Sequence, residues 1–402
     1  MIDFRSPDFL REHIQSILDF YAPNVVDPAG GFHQNYLDNG AVFDTGRKHL
    51  VSSCRMIFNY VLAQRLFGED RYRDLWHRGL GFLRSSHWQP QRQGYVWTLD
   101  DQGATDETNH CYGLAFVLLA FASAVQAGDE SARADVDQTW NILESRFWQP
   151  GCGLYADEIS ADWKVVSPYR GQNANMHCCE ALLAAFEATG EERFLNRAYD
   201  LASKIVIELA AKSDGLVWEH YRQDLSIDWD YNRDNPKHLY RPWGFQAGHQ
   251  TEWAKLLMIL HRHRPEPWML ERATALFDRA MKVAWDEANG GLFYGFDPQG
   301  RICDSDKYFW VQAETFAAAA LLAAATANEQ YWQEYDRLWT YCWAHFVDHD
   351  NGAWFRILTA ENGKVTDIKS EAGAKCDYHN LGACATVLEI IPPGSKLPTL
   401  TA

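Results

Sequence analysis

The 402-residue chain is predicted to be all-α: an (α/α)6 barrel of six inner and six outer helices, with short β-hairpins at one end. Two observations predict this fold. A short glycine–aromatic pattern recurs six times, and each interval between copies holds one helical pattern that is apolar all round and one that is amphipathic. A helix that is apolar all round must be buried, and an amphipathic helix can cover it. A closed ring satisfies both patterns, whereas an open solenoid would need polar end caps, which the sequence lacks.

The recurring pattern is a glycine, then an apolar or aromatic residue, and often Trp, Tyr or Phe within two more positions. Its copies are GGFHQNY (30–36), QGYVWTLDDQG (93–103), GCGLYADE (151–158), DGLVWEHY (214–221), NGGLFYGFDPQG (289–300) and NGAWFRILTAENG (351–363). The glycines are about 60 residues apart, apart from one spacing near 76. Several copies end in a second turn signal such as DDQG or DPQG, so each copy predicts a small β-hairpin.

The helical segments follow from hydrophobic periodicity. The inner helices are predicted at 49–67, 109–125, 175–187, 249–261, 310–327 and 378–391. The outer helices are predicted at 7–21, 70–84, 130–146, 192–210, 267–284 and 330–346. We therefore expect a single domain over 1–391 and a loose C-terminal tail over 392–402.

Composition excludes several kinds of partner. Asp and Glu outnumber Lys and Arg by 54 to 37, and a surface this acidic repels nucleic acid and anionic lipid. The longest uncharged apolar stretches, 112–125 and 315–327, are too short to span a bilayer. The N-terminus has no apolar signal region, and nine cysteines without a CxxC favour reduced thiols. We therefore expect no nucleic-acid partner, no membrane association and a cytoplasmic protein. A homodimer is compatible with the sequence.

Polar side chains lie near the predicted starts of the inner helices, so a closed barrel would bring them to one pocket. They are Arg55, His110, Asn173, His177, Arg241, His249, Glu252, Glu314 and His379. A lone histidine at a helix start is more often structural. Recurrence at equivalent repeat positions favours function, because buried charges are costly to place by chance.

Metal and nucleotide sites have weaker support. The run His177-Cys178-Cys179 cannot chelate one ion well, because adjacent helical residues point about 100° apart. HExxH, Walker A and strand-borne GxGxxG motifs do not occur in the sequence. A zinc site formed by three histidines of the barrel stays an alternative. We expect no metal and no cofactor.

The segments RPWGFQAGHQTEW, GQNANMHCCEA and CDYHNLGA resemble the N-acylglucosamine 2-epimerase superfamily, and the resemblance covers nearly the whole chain. That group includes mannose isomerases, sulfoquinovose isomerases and cellobiose 2-epimerases. The aldose–ketose mannose isomerases are the most similar, through length, HLVSSCRMIFNY and the long segment 221–243. The resemblance implies an (α/α)6 barrel that acts on free sugars without a redox cofactor. It also implies interconversion of D-mannose and D-fructose, extending to D-lyxose and D-xylulose.

The resemblance also assigns roles to residues. His249 and His379 would be the acid/base pair, and Arg55 and Arg241 would hold substrate oxygens. The remaining pocket residues would be Asn173, His177, Glu252, Glu314, His110 and Tyr112. Segment 221–243 either caps the pocket or is a plain solvated loop.

The implied chemistry suits these residue types. Histidine exchanges protons near neutral pH, and a charged guanidinium such as that of Arg55 stabilises a cis-enediolate. His249 would assist ring opening and protonate O5 or O1, while His379 would move a proton between C2 and C1. Glu252, placed beside His249, would favour its protonated form and fix its tautomer.

Other functions compete with this hypothesis. Two bases on opposite faces of the enediolate would give a 2-epimerase of glucose/mannose or of an N-acyl sugar. A sulfoquinovose isomerase would need a cationic or amide-rich pocket for the sulfonate. A glycoside hydrolase would need two carboxylates, for which Glu252 and Glu314 are candidates. The resemblance also leaves open a protein-binding module, because mammalian members have been described as renin-binding proteins.

Overall fold

The computed structural model describes residues 2–391, so the predicted tail at 392–402 lies outside the described residues. Twelve α-helices occur in this part of the chain. They are α1 Pro7–Tyr21, α2 Leu50–Phe67, α3 Asp70–Phe82, α4 Cys111–Gln126, α5 Arg133–Ile142, α6 Gln172–Thr189, α7 Glu192–Ser203, α8 Ala247–His263, α9 Pro267–Ala284, α10 Phe309–Thr326, α11 Glu329–His345 and α12 Tyr378–Ile390.

The even-numbered helices form a closed inner ring. Each contacts the next even-numbered helix, and α12 returns to contact α2. The odd-numbered helices pack outside, α1 on α12 and α3, α5, α7, α9 and α11 each on the inner helix that precedes it. Burial follows the hydrophobic patterns, since α10 is buried on nearly every side whereas α7 buries one stripe. The predicted (α/α)6 barrel is confirmed.

Nineteen short strands occur in the described chain. They are β1 Asn35–Leu37, β2 Val42–Asp44, β3 Lys48–His49, β4 Trp88–Gln89, β5 Gly94–Tyr95, β6 Thr98–Asp100, β7 Gly103–Asp106, β8 Asn109–His110, β9 Trp148–Gln149, β10 Leu154–Tyr155, β11 Glu158–Ile159, β12 Arg170–Gly171, β13 His220–Tyr221, β14 Phe245–Gln246, β15 Gly295–Phe296, β16 Ile302–Asp304, β17 Lys307–Tyr308, β18 Ile357–Leu358 and β19 Ile368–Ser370.

The strands connect neighbouring repeats. Hairpins form as predicted at β1–β2, β4–β5, β6–β7, β9–β10 and β15–β16. The strand just before each inner helix also pairs antiparallel with a strand of the next repeat, as in β3–β6, β8–β11, β12–β13, β14–β15 and β17–β18. The pair β19–β1 closes the ring, with Tyr36 opposite Ser370. The fourth and sixth copies differ from their predicted hairpins, because β13 pairs with β12 and β18 pairs with β17, each from the preceding repeat.

The repeated glycine has a conformational cause. In five of the six copies it has a positive φ, a region that glycine enters without steric cost. These residues are Gly31, Gly153, Gly215, Gly291 and Gly352. In the second copy Gln93 takes this conformation, with φ 54°, and the glycine follows it.

Three repeats share a buried Asp–Lys pair that fastens the hairpin to the next inner helix. Nζ of Lys48 lies 2.5 Å from Asp27, Nζ of Lys307 lies 2.8 Å from Asp286, and Nζ of Lys369 lies 2.6 Å from Asp348. Each aspartate also accepts backbone N–H groups of its own turn. Lys48 and Lys307 thereby anchor the strands directly before α2 and α10, and Lys369 anchors β19.

The uncharged apolar stretch that begins at residue 315 is part of helix α10, which starts earlier, at Phe309, and also contains Glu314. It is the one helix among residues 2–391 that is long and apolar enough to cross a bilayer, and it lies largely buried in the inner ring. The nine cysteines are all free.

Candidate active site

A cavity of about 280 Å³ lies at the end of the barrel where the inner helices begin. Seven of the ten predicted site residues line it: Arg55, Tyr112, Asn173, His177, His249, Glu252 and His379. They come from α2, α4, α6, α8 and α12. The closed ring therefore brings together side chains more than 300 residues apart in the sequence.

The C-terminal part of segment 221–243 lines this cavity, so the capping interpretation holds for residues 237–242. Its residues Lys237, His238, Leu239, Tyr240 and Pro242 lie in the wall. The hydroxyl of Tyr240 donates to the carbonyl of Gly373 at 3.0 Å and lies 3.1 Å from Nε2 of His49. The segment is thus attached to the opposite side of the mouth.

His249 is oriented by Glu219, which lies in the glycine–aromatic copy that precedes its helix. Its Nδ1 donates to the two oxygens of Glu219 at 2.9 and 3.0 Å. The expectation that Glu252 pairs with His249 is wrong, because Glu252 lies beside His177, 3.9 Å from its Nδ1. The pairing with Glu219 leaves Nε2 of His249 free for the cavity.

His379 forms a second histidine–glutamate pair. Its Nδ1 donates to Oε1 of Glu314 at 2.7 Å, and its Nε2 lies 3.4 Å from Nη2 of Arg55. Burial, together with Arg55 and His177, lowers the pKa of His379 well below its usual value. At neutral pH the ring is therefore uncharged, with the lone pair of Nε2 available.

Arg55 sits against aromatic faces at the base of the cavity. Its Nη2 donates to the hydroxyl of Tyr112 at 3.0 Å, and its guanidinium carbon lies 4.3 Å from the ring centroid of Phe116 and 5.0 Å from that of Tyr378. Its buried Nε has no hydrogen-bond partner among residues 2–391. Arg55 thus keeps donor capacity for a bound oxygen.

Glu252 is a buried carboxyl group in the cavity wall. Neither oxygen has a hydrogen-bond partner in the described part of the chain, and the side chain is 0% exposed. Burial and the neighbouring Glu314 raise the pKa of Glu252 well above its usual value. A neutral carboxyl group both donates and accepts, which suits a sugar hydroxyl.

Three predicted residues lie outside the cavity wall. Glu314 stands behind His379. Arg241 turns away to pair with Glu158 and stack on Tyr169, 4.2 Å from the ring centroid. His110 lies against Trp97, with ring centroids 4.0 Å apart. The structure does not bring Arg241 or His110 to the substrate cavity.

Acidic groups cluster beneath the cavity. Two sets of three potential metal ligands occur there: His177, Glu180 and Glu252, and Glu252, Glu314 and His379. Lys255 lies among them, with Nζ 2.6 Å from Oε2 of Glu314. The protein therefore supplies its own cation at this position.

Sequence reasoning missed Glu219, Lys255 and the cavity residues of segment 221–243. Glu219 lies inside the fourth glycine–aromatic copy, whose pattern predicts a hairpin and does not indicate that its carboxylate lies beside an inner helix. Lys255 interrupts the apolar face of a predicted buried helix, which was an available signal.

Comparison with known proteins identifies the family of this chain. The family N-acylglucosamine 2-epimerase (GlcNAc 2-epimerase) matches residues 30–383. A D-mannose isomerase of Marinomonas mediterranea is 52% identical, over 96% of this chain and 98% of that protein. A D-mannose isomerase of Thermobifida fusca is 36% identical, over 85% and 86% of the two chains. The crystal structure of a D-mannose isomerase superposes with a TM-score of 0.95 at 52% identity, over 97% of this chain and 99% of that one.

The fold and the site define an (α/α)6-barrel enzyme that isomerises sugars. More particularly, the chain belongs to the N-acylglucosamine 2-epimerase family.

Proposed function

We propose that this protein is an aldose–ketose isomerase that interconverts D-mannose and D-fructose, and D-lyxose and D-xylulose, through a cis-enediolate. One observation carries the proposal: the uncharged base and the cation stand side by side, with Nε2 of His379 3.4 Å from Nη2 of Arg55. A base at C2 next to a donor for the adjacent oxygen is what enolisation requires. The similarity to proteins named D-mannose isomerase supports the same substrate.

The two histidines take different protons. His249 protonates O5 as the ring opens and takes up the O1 hydroxyl proton that is released when the C1 carbonyl forms. It then carries the proton that moves between O2 and O1. Nε2 of His379 removes the C2 proton, the C–H electron pair forms the C1–C2 double bond, and the carbonyl π electrons move to O1. Arg55 stabilises the negative charge on O1. The proton on His379 then returns to C1 as C2 becomes the ketone carbonyl, and no redox cofactor is needed.

The cavity suits a neutral sugar. Two further cations lie in its wall, and both are already paired: Arg356 with Glu371, and Lys237 with Asp306. A sulfonate would compete with these carboxylates. The pairing therefore favours an uncharged monosaccharide over a sulfonated one.

The carboxylates do not suit glycoside hydrolysis. Glu314 is outside the cavity wall and is bound to Nδ1 of His379, so Glu252 and Glu314 do not face each other across the cavity. Hydrolases place their two carboxyl groups about 5 Å or more apart, on either side of the scissile bond.

The test is a proton NMR time course of the purified protein with D-mannose in D2O. We expect fructose to form, with hydrogen at C1 supplied partly by C2 and partly by solvent. Glucose deuterated at C2 as the first product would make the protein an epimerase. If the protein converts N-acetylmannosamine or a sulfonated sugar and leaves mannose unchanged, the proposed proton-transfer chemistry stands and the proposed substrate is wrong.

The cytoplasmic location remains part of the proposal, supported by nine free cysteines, seven of them buried. Fractionation of the source cells with an antibody to the protein tests it.

A further inference from the structure

A second cavity, of about 460 Å³, enters the barrel from the end where the inner helices finish. Its outer wall carries Arg65, Glu187, Arg262 and Glu389, which are exposed. Its deep wall contains Glu180, Lys255 and Glu314. His379 lines both cavities, so the two ends of the barrel meet at this histidine.

Lys255 lies on the far side of His379 from the substrate cavity. Its Nζ is 2.6 Å from Oε2 of Glu314 and 3.7 Å from Oε1 of Glu180. The other oxygen of Glu314 accepts the Nδ1 proton of His379 at 2.7 Å. Lys255 is absent from the wall of the substrate cavity, and its shortest ionic contact towards that cavity is with Glu314.

Glu314 is surrounded by ionisable groups from four inner helices. They are Arg55 on α2, His177 and Glu180 on α6, Glu252 and Lys255 on α8, and Tyr378 and His379 on α12. Burial raises the pKa of Glu314, and Lys255 opposes that rise. Of the cations in the group, Lys255 is the one within ion-pair distance of the carboxylate.

We propose that Lys255 is a positioning residue that keeps Glu314 ionised and thereby holds His379 in the tautomer with its proton on Nδ1. A protonated Glu314 would donate to Nδ1, and the ring proton would then sit on Nε2. Nε2 would face Arg55 and the sugar without a lone pair and would not accept the C2 proton. The kinetic part of this inference rests on the proposed isomerase function.

The kinetic test compares Lys255→Met with Lys255→Arg. At pH 7 we expect Lys255→Met to lower kcat for mannose about 100-fold, with KM changed less than about threefold. Without the ammonium group the pKa of Glu314 rises, so the acid limb of the pH profile of kcat/KM moves to higher pH and activity returns partly in alkaline buffer. Lys255→Arg keeps the charge and should keep the profile. A kcat lowered equally at every pH would overturn the proposal.

A second readout does not need a sugar. In protein labelled with 15N-histidine, two-bond N–H correlations report which ring nitrogen carries the proton, and the His379 signals are those missing from His379→Gln. We expect Nδ1–H in the native protein and Nε2–H in Lys255→Met. An unchanged tautomer would refute the inference. If the native protein converts no mannose, the proposed function fails while this measurement still decides the role of Lys255.

The second cavity offers chemical rescue. In Lys255→Ala, ethylammonium can enter from the end of the barrel away from the sugar and replace the ammonium group. We expect saturable recovery of kcat that is not competitive with mannose. Recovery should be lost when Ala184→Phe or Thr386→Phe narrows the cavity from opposite walls, α6 and α12.

Absence of rescue with the cavity open, or rescue that mannose competes away, would contradict the proposal. Should Lys255→Met fail to fold, Lys255→Ala folded in ethylammonium chloride and then dialysed provides the same comparison.

Discussion

Nδ1 of His249 donates to Glu219, with the two carboxylate oxygens at 2.9 and 3.0 Å, although Glu219 lies 30 positions earlier in the sequence, just before β13. Glu219 is also fixed by Nε2 of Gln172, which donates to Oε2 at 2.9 Å. The histidine is thus held by the glycine–aromatic copy that precedes α8, and that copy is fixed in turn by α6. This arrangement fixes the tautomer and stabilises the imidazolium that forms when Nε2 takes a proton.

Glu219→Gln tests this pair. An amide cannot stabilise the imidazolium, so we expect kcat for mannose isomerisation to fall about 100-fold with a small change in KM. Steady-state kinetics measures both constants. The matched control is Glu187→Gln, which alters a surface pair with His263 and should leave both constants unchanged. Equal effects of the two substitutions would contradict the role of Glu219.

His379→Gln should abolish carbon proton transfer. Without the base at Nε2, we expect kcat to fall about 1,000-fold or more and deuterium from D2O to stay out of C1 and C2. Proton NMR of the sugar measures the exchange. His110→Gln, outside the cavity wall, should lower kcat by no more than about threefold. Full exchange of the C2 hydrogen in His379→Gln would remove this residue from the mechanism.

Glu252→Gln should change how stability depends on pH. The native carboxyl has a raised pKa, so above the ordinary pKa of glutamate and below its own raised pKa the folded state holds a proton that the unfolded chain releases. Native stability therefore falls with rising pH by about 1.4 kcal/mol per pH unit from this group, and glutamine lacks the effect. We expect the Tm of the variant to rise relative to native from pH 5 to pH 8 in thermal unfolding. A constant difference would mean that Glu252 is ionised.

Tyr240→Phe should loosen segment 221–243. The substitution removes the hydrogen bond to the Gly373 carbonyl and the contact with His49. We expect KM for mannose to rise about fivefold, on the basis of about 1 kcal/mol for the lost hydrogen bond, with kcat changed less. Tyr199→Phe, which removes an outer-helix hydroxyl bonded to Glu266, serves as the control. An unchanged KM would show that the segment stays closed without this bond.

Lys307→Met should destabilise the barrel. Lys307 is 0% exposed, and its loss leaves Asp286 in a buried position without its partner. We expect the free energy of unfolding to drop by about 3–5 kcal/mol in urea titrations. Lys364→Met breaks a more exposed pair with Asp38 and should cost less than about 1 kcal/mol. Similar losses in the two variants would argue against the Asp–Lys pairs as fold determinants.

The sequence predicted the helices closely because their periodicity records burial directly. The outer helix predicted at 267–284 is Pro267–Ala284, and the inner helix predicted at 49–67 is Leu50–Phe67. The hairpins were predicted from glycines that adopt positive φ in five copies. The pairing of β19 with β1 was not predicted, because short strands carry too little pattern to specify partners more than 300 residues away.

By itself the sequence determined the repeat, the barrel and seven of the residues that line the cavity, since local periodicity and helix starts encode them. Tertiary structure decided which carboxylate serves which histidine: Glu219 rather than Glu252 for His249, and Glu314 with Lys255 behind it for His379. In the folded protein Arg241 pairs with Glu158 and does not reach the cavity, which the sequence did not predict. Ion pairs act over a few ångströms in space, and the order of residues along the chain does not record which buried charges come that close.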